Sequence, residues 1–215
     1  MSQQGRGKFI TIEGVEGVGK STQLAAIERL LKSQGIDYYL TREPGGTQIS
    51  ENIRDLILSL SDENVDANCE LLLIFAARAQ HIAQVIEPRL AAGQWILCDR
   101  FTDATYAYQG GGRQLGSERI AELETMVQGE LRPDVTVLLD LEPQIGLARA
   151  AQRGALDRIE SEQADFFNRV RDSYLALAQQ HSERFLVIDA SAELADVEQN
   201  LLGRLSDKLG FNSNE

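Results

Sequence analysis

The chain has 215 residues, 43% apolar and 25% charged, the proportions of a globular protein long enough to bury its own core as one domain. Its 21 Lys and Arg stand against 33 Asp and Glu, a net charge of −12, which opposes a nucleic-acid partner because phosphate backbones attract basic faces. A small phosphorylated ligand stays admissible, since a few clustered arginines make a positive pocket inside an acidic protein.

In chain order, Met1 to Lys8 is polar and has no apolar signal region, so the cytoplasm is the expected compartment. Phe9 to Glu13, Tyr38 to Thr41, Trp95 to Asp99, Val135 to Asp140 and Phe185 to Asp189 read as strands. Helical patterns alternate with them, as in βαβ units of a parallel sheet. Ile-Leu-Cys and Val-Thr-Val-Leu-Leu are apolar without alternation, which suits strands covered on both faces. The most apolar helical stretch, Leu71 to Ala79, is short and carries Arg78, so no membrane span is expected. Gly45-Gly46 and Gly110 to Gly112 are expected as loops near the site. Leu194, Val197, Leu201, Leu202, Leu205 and Leu209 form an amphipathic stripe closing one face. Cys69 and Cys98 are expected as two buried, reduced thiols.

Gly14-Val15-Glu16-Gly17-Val18-Gly19-Lys20-Ser21 fits G-x-x-x-x-G-K-[ST] at every fixed position. A strand precedes it and a helix, Ser21 to Lys32, follows. Glycines let successive N–H groups converge on one anion, helped by the helix N-terminus. Lys20 is expected on the β- and γ-phosphates of a nucleoside triphosphate and the Ser21 hydroxyl on Mg²⁺, with Thr22 in the same site. The loop identifies the donor and leaves the acceptor open. The guanine signature Asn/Thr-Lys-x-Asp of GTPases is missing.

Four segments offer an acceptor site. Arg42 follows the second strand at the sheet rim where ligands bind, and its fork suits phosphate; the alternative is a surface ion pair with Glu43. Phe75 and Arg78 are three apart and share a helix face, so a ring could stack on a base while the guanidinium donates to its carbonyl oxygens. The alternative makes Phe75 core and sends Arg78 to water. Asp99 ends an apolar strand in the manner of a carboxylate that holds Mg²⁺ through water, with Arg100 facing phosphate beside it. Thr105, Tyr108 and Gln109 fall on one face if their segment is helical, and their groups suit a pyrimidine edge and a ribose.

Together these segments resemble the thymidylate kinase family in its bacterial form. The resemblance runs from Phe9 to about Ala190 and is carried by Thr-Arg-Glu-Pro-Gly-Gly-Thr (41–47), Asp-Arg-Phe (99–101), Tyr-Gln-Gly-Gly-Gly (108–112) and Arg-Gly-Ala-Leu-Asp-Arg-Ile-Glu (153–160). It implies a P-loop kinase fold, a five-stranded parallel sheet flanked by helices with a short lid at about 149–162. It implies transfer of the γ-phosphoryl of ATP to dTMP with Mg²⁺, and a homodimer, for which the helix from Glu70 to Ile86 offers a face that could equally be buried against the sheet. By the same resemblance Phe75 stacks on thymine, Arg78 bonds its O4, Thr105 and Gln109 meet the base edge, and Tyr108 rejects a 2′-hydroxyl. Arg42 and Arg100 clamp the dTMP phosphate, Glu16 lies near the 3′-hydroxyl, and Arg54 extends the pocket.

Between Gly14 and Gly19 there is no basic residue, and in the family this goes with a catalytic arginine in the lid. Arg149, Arg153 and Arg158 supply candidates, Arg149 or Arg153 also as an adenine contact opposite the loop after Asp189. Lys20, Mg²⁺, Arg100 and Arg153 are then expected to share the charge on the migrating phosphoryl, with Asp99 at the metal. The dTMP phosphate is already ionised, so no general base is needed and His81 and His181 are expected as bystanders. A deoxynucleoside kinase and a degenerate nucleotide-binding subunit are the rival readings. The paired arginines oppose the first, and intact Lys20, Ser21 and Asp99 oppose the second.

Overall fold

The computed structural model describes residues 5–60, 63–152 and 157–211. Five parallel strands, β1 (Phe9–Glu13), β2 (Tyr38–Arg42), β3 (Trp95–Asp99), β4 (Val135–Asp140) and β5 (Phe185–Asp189), pair in the order β2-β3-β1-β4-β5. Central β1 aligns Ile12 with Asp99 of β3 and with Val137 of β4, so three strand ends open on one rim. The expected strands and the parallel sheet are all present; β2 runs one residue further, to Arg42.

Pleating divides the core. Ile10, Ile12 and Leu97 pack with Leu24, Ile27 and Leu31 of α1 (Lys20–Ser33) and with Val197, Leu201 and Leu205 of the last helix. Phe9, Ile96 and Cys98 turn the other way, against Ile82, Ile86 and Leu90. Between β2 and β3 lie α2 (Gln48–Leu58), α3 (Ala67–His81), a π-helical turn (Ile82–Ile86) and α4 (Glu87–Ala91). Thr47 caps α2 through Ser50 N–H, and Asp66 caps α3 through the N–H groups of Asn68 and Cys69. The π turn ends two residues before Pro88, which has no N–H to give the helical ladder. The continuous helix Ala67–Ala91 contains an 18-residue stretch of mean hydropathy 1.3, long and apolar enough on those two criteria to cross a membrane. Half of that stretch is buried inside this fold, and buried Glu70, Arg78 and His81 belong to it, so here it is a core helix.

After β3, α5 (Thr102–Thr105) runs into a second π-helical segment, Tyr106–Gly112, followed by α6 (Ser117–Gln128). The glycines 110–112 expected in a loop are therefore helical, and they let α8 (Ala164–Gln180) close on the segment. A Cβ on Gly111 would lie 1.9 Å from Ser173 Oγ and one on Gly112 2.5 Å from the Phe166 ring. The chain ends on α7 (Pro143–Ala151), α8 and α9 (Leu194–Leu209), the last carrying the expected leucine stripe. Cys98 is buried as expected, whereas Cys69 is exposed, because the first turn of α3 turns it away from the core that holds Glu70 and Leu71.

The phosphate loop is seated on α7 by backbone alone: a Cβ on Gly146 would meet Glu16 O at 2.2 Å, and one on Gly17 would meet Gly146 O at 1.9 Å. Gly146→Ala is expected to cost about 1–3 kcal/mol through overpacking. Gly203→Ala, in α9 with nothing within 4 Å of its added Cβ, is expected to be neutral or stabilising by up to about 1 kcal/mol. Urea denaturation of both variants reads the contrast, and equal effects would reject the close seating.

Candidate active site

A cavity of about 790 Å³ opens over the rim where β1 and β3 end. The loop after β1 forms one wall with Glu16, Gly17, Val18, Gly19, Lys20, Ser21 and Thr22. Gly19, at φ 90°, turns the chain into α1 in a conformation other residues rarely adopt. Lys20 Nζ donates to Gly14 O at 3.4 Å. Burial, and then the neighbouring positive charge of Arg100, pull the Lys20 pKa below its ordinary value, an imbalance that a bound polyphosphate reverses.

Opposite the loop lie Asp99 and Arg100. Arg100 has φ 69°, strained for a side chain with a Cβ, and three contacts hold it there. Its N–H donates to Ile12 O at 3.0 Å, its carbonyl accepts from Cys98 Sγ at 3.0 Å, and the next N–H, of Phe101, donates to Glu13 Oε1 at 2.7 Å. Burial pushes the Cys98 thiol up, which keeps its proton available as a donor. The Arg100 guanidinium donates to Glu16 Oε1 (2.6 Å) and to Tyr174 Oη (3.3 Å) and lies 4.7 Å over the Tyr108 ring. Tyr108 Oη donates to the same Glu16 oxygen at 2.9 Å. Glu13 is wholly buried, accepts also from Tyr174 Oη at 2.7 Å, and has its pKa pushed up to about 8 by burial and then by Asp103.

The third wall carries Ile74, Arg78, Thr105 and Gln109. Arg78 is 2% exposed and held from behind: Nε donates to Glu43 Oε2 at 2.7 Å, Nη2 to Thr105 Oγ1 at 2.9 Å, and its plane covers the Phe75 and Phe101 rings at 4.9 and 5.2 Å. Glu43 is kept below the usual carboxylate range despite its burial, because Arg78 and His81 bind it. Two buried atoms on the cavity wall have no hydrogen-bond partner, Arg78 Nη1 and Asp99 Oδ1. Orphans of this kind at the same cleft mark where a ligand completes the site. Asp99 Oδ1, with the Ser21 hydroxyl across the cleft, fits a hard cation that takes its remaining ligands from phosphate and water. Among the described residues no group of three or more His, Cys, Asp or Glu could hold a metal unaided.

Three sequence expectations are corrected. Phe75 does not line the cavity: it packs with Leu71 and Ile120, and its neighbour Ile74 presents the apolar wall. One residue is about 100° of helix rotation, so only one of the two can face the cavity. Arg42 also lies outside it. Thr41 points inward to His81 Nε2 at 2.8 Å, and the next side chain of the pleated strand must point outward, where Arg42 is half exposed and donates to Glu51 Oε2 at 2.6 Å. The alternative partner for Arg42, Glu43, is buried on Arg78 instead. Arg54 takes the cavity position, donating to Pro44 O at 3.0 Å; burial and then the charge of Arg42 pull its pKa below the ordinary value, a crowding of cations that suits an anion. Arg158 is likewise no cleft residue, since it donates to Ile57 O at 2.7 Å and Glu70 Oε2 at 2.6 Å. His81, expected as a bystander, binds Thr41 and Glu43 and so supports the Arg78 wall from behind.

Arg149 lines the cavity together with Ser191, Ala192, Glu193 and Leu194, the loop expected across from it. Arg153 and Gly154 lie outside the described residues. Glu43, Glu70 and Tyr174 were not singled out from sequence as site residues; Glu70 could have been suspected as an acid set in an apolar run.

Such a rim, with a phosphate-binding loop on the central strand of a parallel sheet and cations facing it, defines a P-loop phosphotransferase acting on small nucleotides. The model of the family described as "Thymidylate kinase" matches residues 12–201. Thymidylate kinases of Pseudomonas syringae pv. tomato and Ectopseudomonas mendocina are 57% and 58% identical over 195 residues, which is 91% of this chain and 93% of each relative. The crystal structure of the Ehrlichia chaffeensis thymidylate kinase superposes with a TM-score of 0.76 at 31% identity, over 94% of this chain and 99% of that one. The chain belongs to the thymidylate kinase family, and its reaction is the ATP-dependent phosphorylation of dTMP to dTDP.

The raised Glu13 carboxyl has a consequence for stability. Folded, it keeps its proton up to about pH 8; unfolded, it loses it above about 4.5, so folding takes up a proton across that window. Stability is therefore expected to fall as pH rises from about 4.5 to 8, and Glu13→Gln is expected to flatten that part of the profile. Urea midpoints measured across this range for both proteins check it; parallel profiles would mean that Glu13 is ionised in the fold.

Proposed function

We propose that dTMP binds with its phosphate between Arg54 and Arg100 and its base against Ile74, Arg78, Thr105 and Gln109, while the ATP polyphosphate lies along Gly14 to Thr22. The convergence of Arg54, Arg78, Arg100 and Lys20 on one cavity of a chain with net charge −12 carries this reading. Arg78 Nη1 has the donor that the thymine O4 needs. Tyr108, held by Glu16, crowds the place of a ribose 2′-hydroxyl, and Glu16 is near the 3′-hydroxyl. Arg42, joined to Glu51 at the rim, reaches the phosphate only by leaving that partner. Arg149 and the loop from Ser191 flank the adenine.

Phosphoryl transfer through a loose transition state needs in-line positioning and charge neutralisation rather than a base. A dTMP phosphate oxygen forms the new bond to the γ-phosphorus as the bond to the ADP oxygen breaks. Lys20 and Arg100 stabilise the migrating charge from two sides, and Arg153, carried here by the family resemblance alone, adds to them from the lid at 149–162. Ser21 and Asp99 would hold Mg²⁺, which would supply charge neutralisation on the donor phosphates. Lid closure excludes water and so suppresses hydrolysis of ATP. The net charge of −12 opposes a nucleic-acid partner, and the enzyme is read as cytoplasmic, without a membrane partner. Ile49 and Leu56, seven apart on α2, and Leu72 on α3 are more than half exposed, which supports a homodimer through these helices.

An assay of ADP release across dTMP, dUMP, dCMP, dGMP and thymidine is expected to favour dTMP; no release with any acceptor would overturn the kinase reading. Arg153→Ala is expected to lower kcat by about 10³-fold or more with dTMP KM little changed. An unchanged kcat removes Arg153 from the catalytic set. Ile74→Ala is expected to raise dTMP KM while keeping the fold, whereas Phe75→Ala is expected to cost about 3–5 kcal/mol of stability. The reverse pattern would return the base contact to Phe75.

A further inference from the structure

Gln109 lines the cavity, but its amide nitrogen points out of it, donating to Glu70 Oε1 at 2.7 Å. Glu70 lies in the first turn of α3, is 0% exposed and does not line the cavity. Both its oxygens receive donors. Oε1 also takes Arg113 Nε at 3.3 Å, and Oε2 takes Arg113 Nη2 at 3.2 Å and Arg158 Nη2 at 2.6 Å. Arg113 is fixed further by the Phe166 ring 4.9 Å away, and Arg158 by Ile57 O. Burial alone would raise the Glu70 pKa, but the bonds from Gln109, Arg113 and Arg158 hold it below the usual carboxylate range. A carboxylate so placed only accepts, so the side of Gln109 that faces it must be the NH₂.

The two ends of a primary amide have opposite hydrogen-bonding character, and the surrounding network decides which end is presented. With its nitrogen end turned to Glu70, Gln109 presents its oxygen end to the cavity. Arg78 Nη1, a donor with no partner, lies on the same wall. Arg78 Nη1 and the Gln109 oxygen thus set a donor beside an acceptor on this wall. A 4-oxo pyrimidine offers the complement, an O4 acceptor beside an N3–H donor. Cytosine offers the inverse, a 4-amino donor beside an N3 acceptor. We propose that Glu70 is a specificity-determining positioning residue: by orienting the Gln109 amide it makes the acceptor site select 4-oxo over 4-amino pyrimidine nucleotides. This rests on the placement of the base at Arg78 and Gln109 given above.

The test is the ratio of kcat/KM for dTMP to that for dCMP. Glu70→Gln offers an amide that can donate as well as accept, which frees Gln109 to turn its own nitrogen to the cavity. The ratio is expected to fall by roughly tenfold to a hundredfold, with dCMP gaining relative to dTMP. A residue that only supports the fold would lower both values in parallel, and an unchanged ratio overturns the inference. Gln109→Leu separates the two levels. If it moves the ratio and Glu70→Gln does not, only the role of Glu70 fails; if neither moves it, the placement of the base at Gln109 fails. Should Glu70→Gln not fold, hydrogen exchange of the ¹⁵N-labelled Gln109 side-chain amide in the acceptor-free wild type decides the matter. Slow exchange is expected for a nitrogen committed to Glu70, and exchange at the rate of a solvated amide overturns the inference.

Discussion

The alignment of Ile12 with Asp99 across β1 and β3 is the constraint on which the site depends. Parallel pairing brings the carboxyl ends of both strands to one rim, so the loop that follows Glu13 and the Asp99-Arg100 pair face each other without any long-range search. Arg100 then turns away from the strand in a strained conformation. Backbone hydrogen bonding to Ile12 and the Glu13 carboxyl hold it there, and both belong to the strand that launches the phosphate loop. Donor and acceptor walls are thereby set against each other through a single strand pair.

Around that junction the protein buries three carboxyl groups, of which Glu43 and Glu70 are held ionised and Glu13 protonated. Glu13, Glu43 and Glu70 are all nearly inaccessible, and each meets several donors. Glu43 fixes Arg78 from behind, Glu70 fixes Gln109, and Glu13 with Tyr174 supports the Arg100 turn. Burying these acids is costly, but it lets cavity side chains present one defined hydrogen-bonding face. Preorganised groups of this kind need little rearrangement when a charged substrate arrives.

Much of the fold was legible locally. The five strands announce themselves as short apolar runs, and the phosphate loop is specified within the eight residues from Gly14 to Ser21, so neither requires tertiary information. The acceptor side was less legible. Phe75 attracted attention as the aromatic residue near Arg78, yet helix rotation gives the cavity to Ile74. Arg42 sat at the right strand end, yet pleating turned it outward and left the position to Arg54, which comes from the next helix. Glu70 and Gln109 are 39 residues apart, and nothing in the spacing of either suggests the other.

Sequence by itself determined the sheet, the donor loop and the family, because each rests on short-range patterns with a direct backbone meaning. It also determined that arginines would gather near the rim, since their motifs follow the strands. Only the tertiary structure decided which of them enters the cavity and which residues stand behind the walls. Those outcomes follow from rotation about a helix and from contacts between elements distant in the chain, quantities that local spacing does not encode.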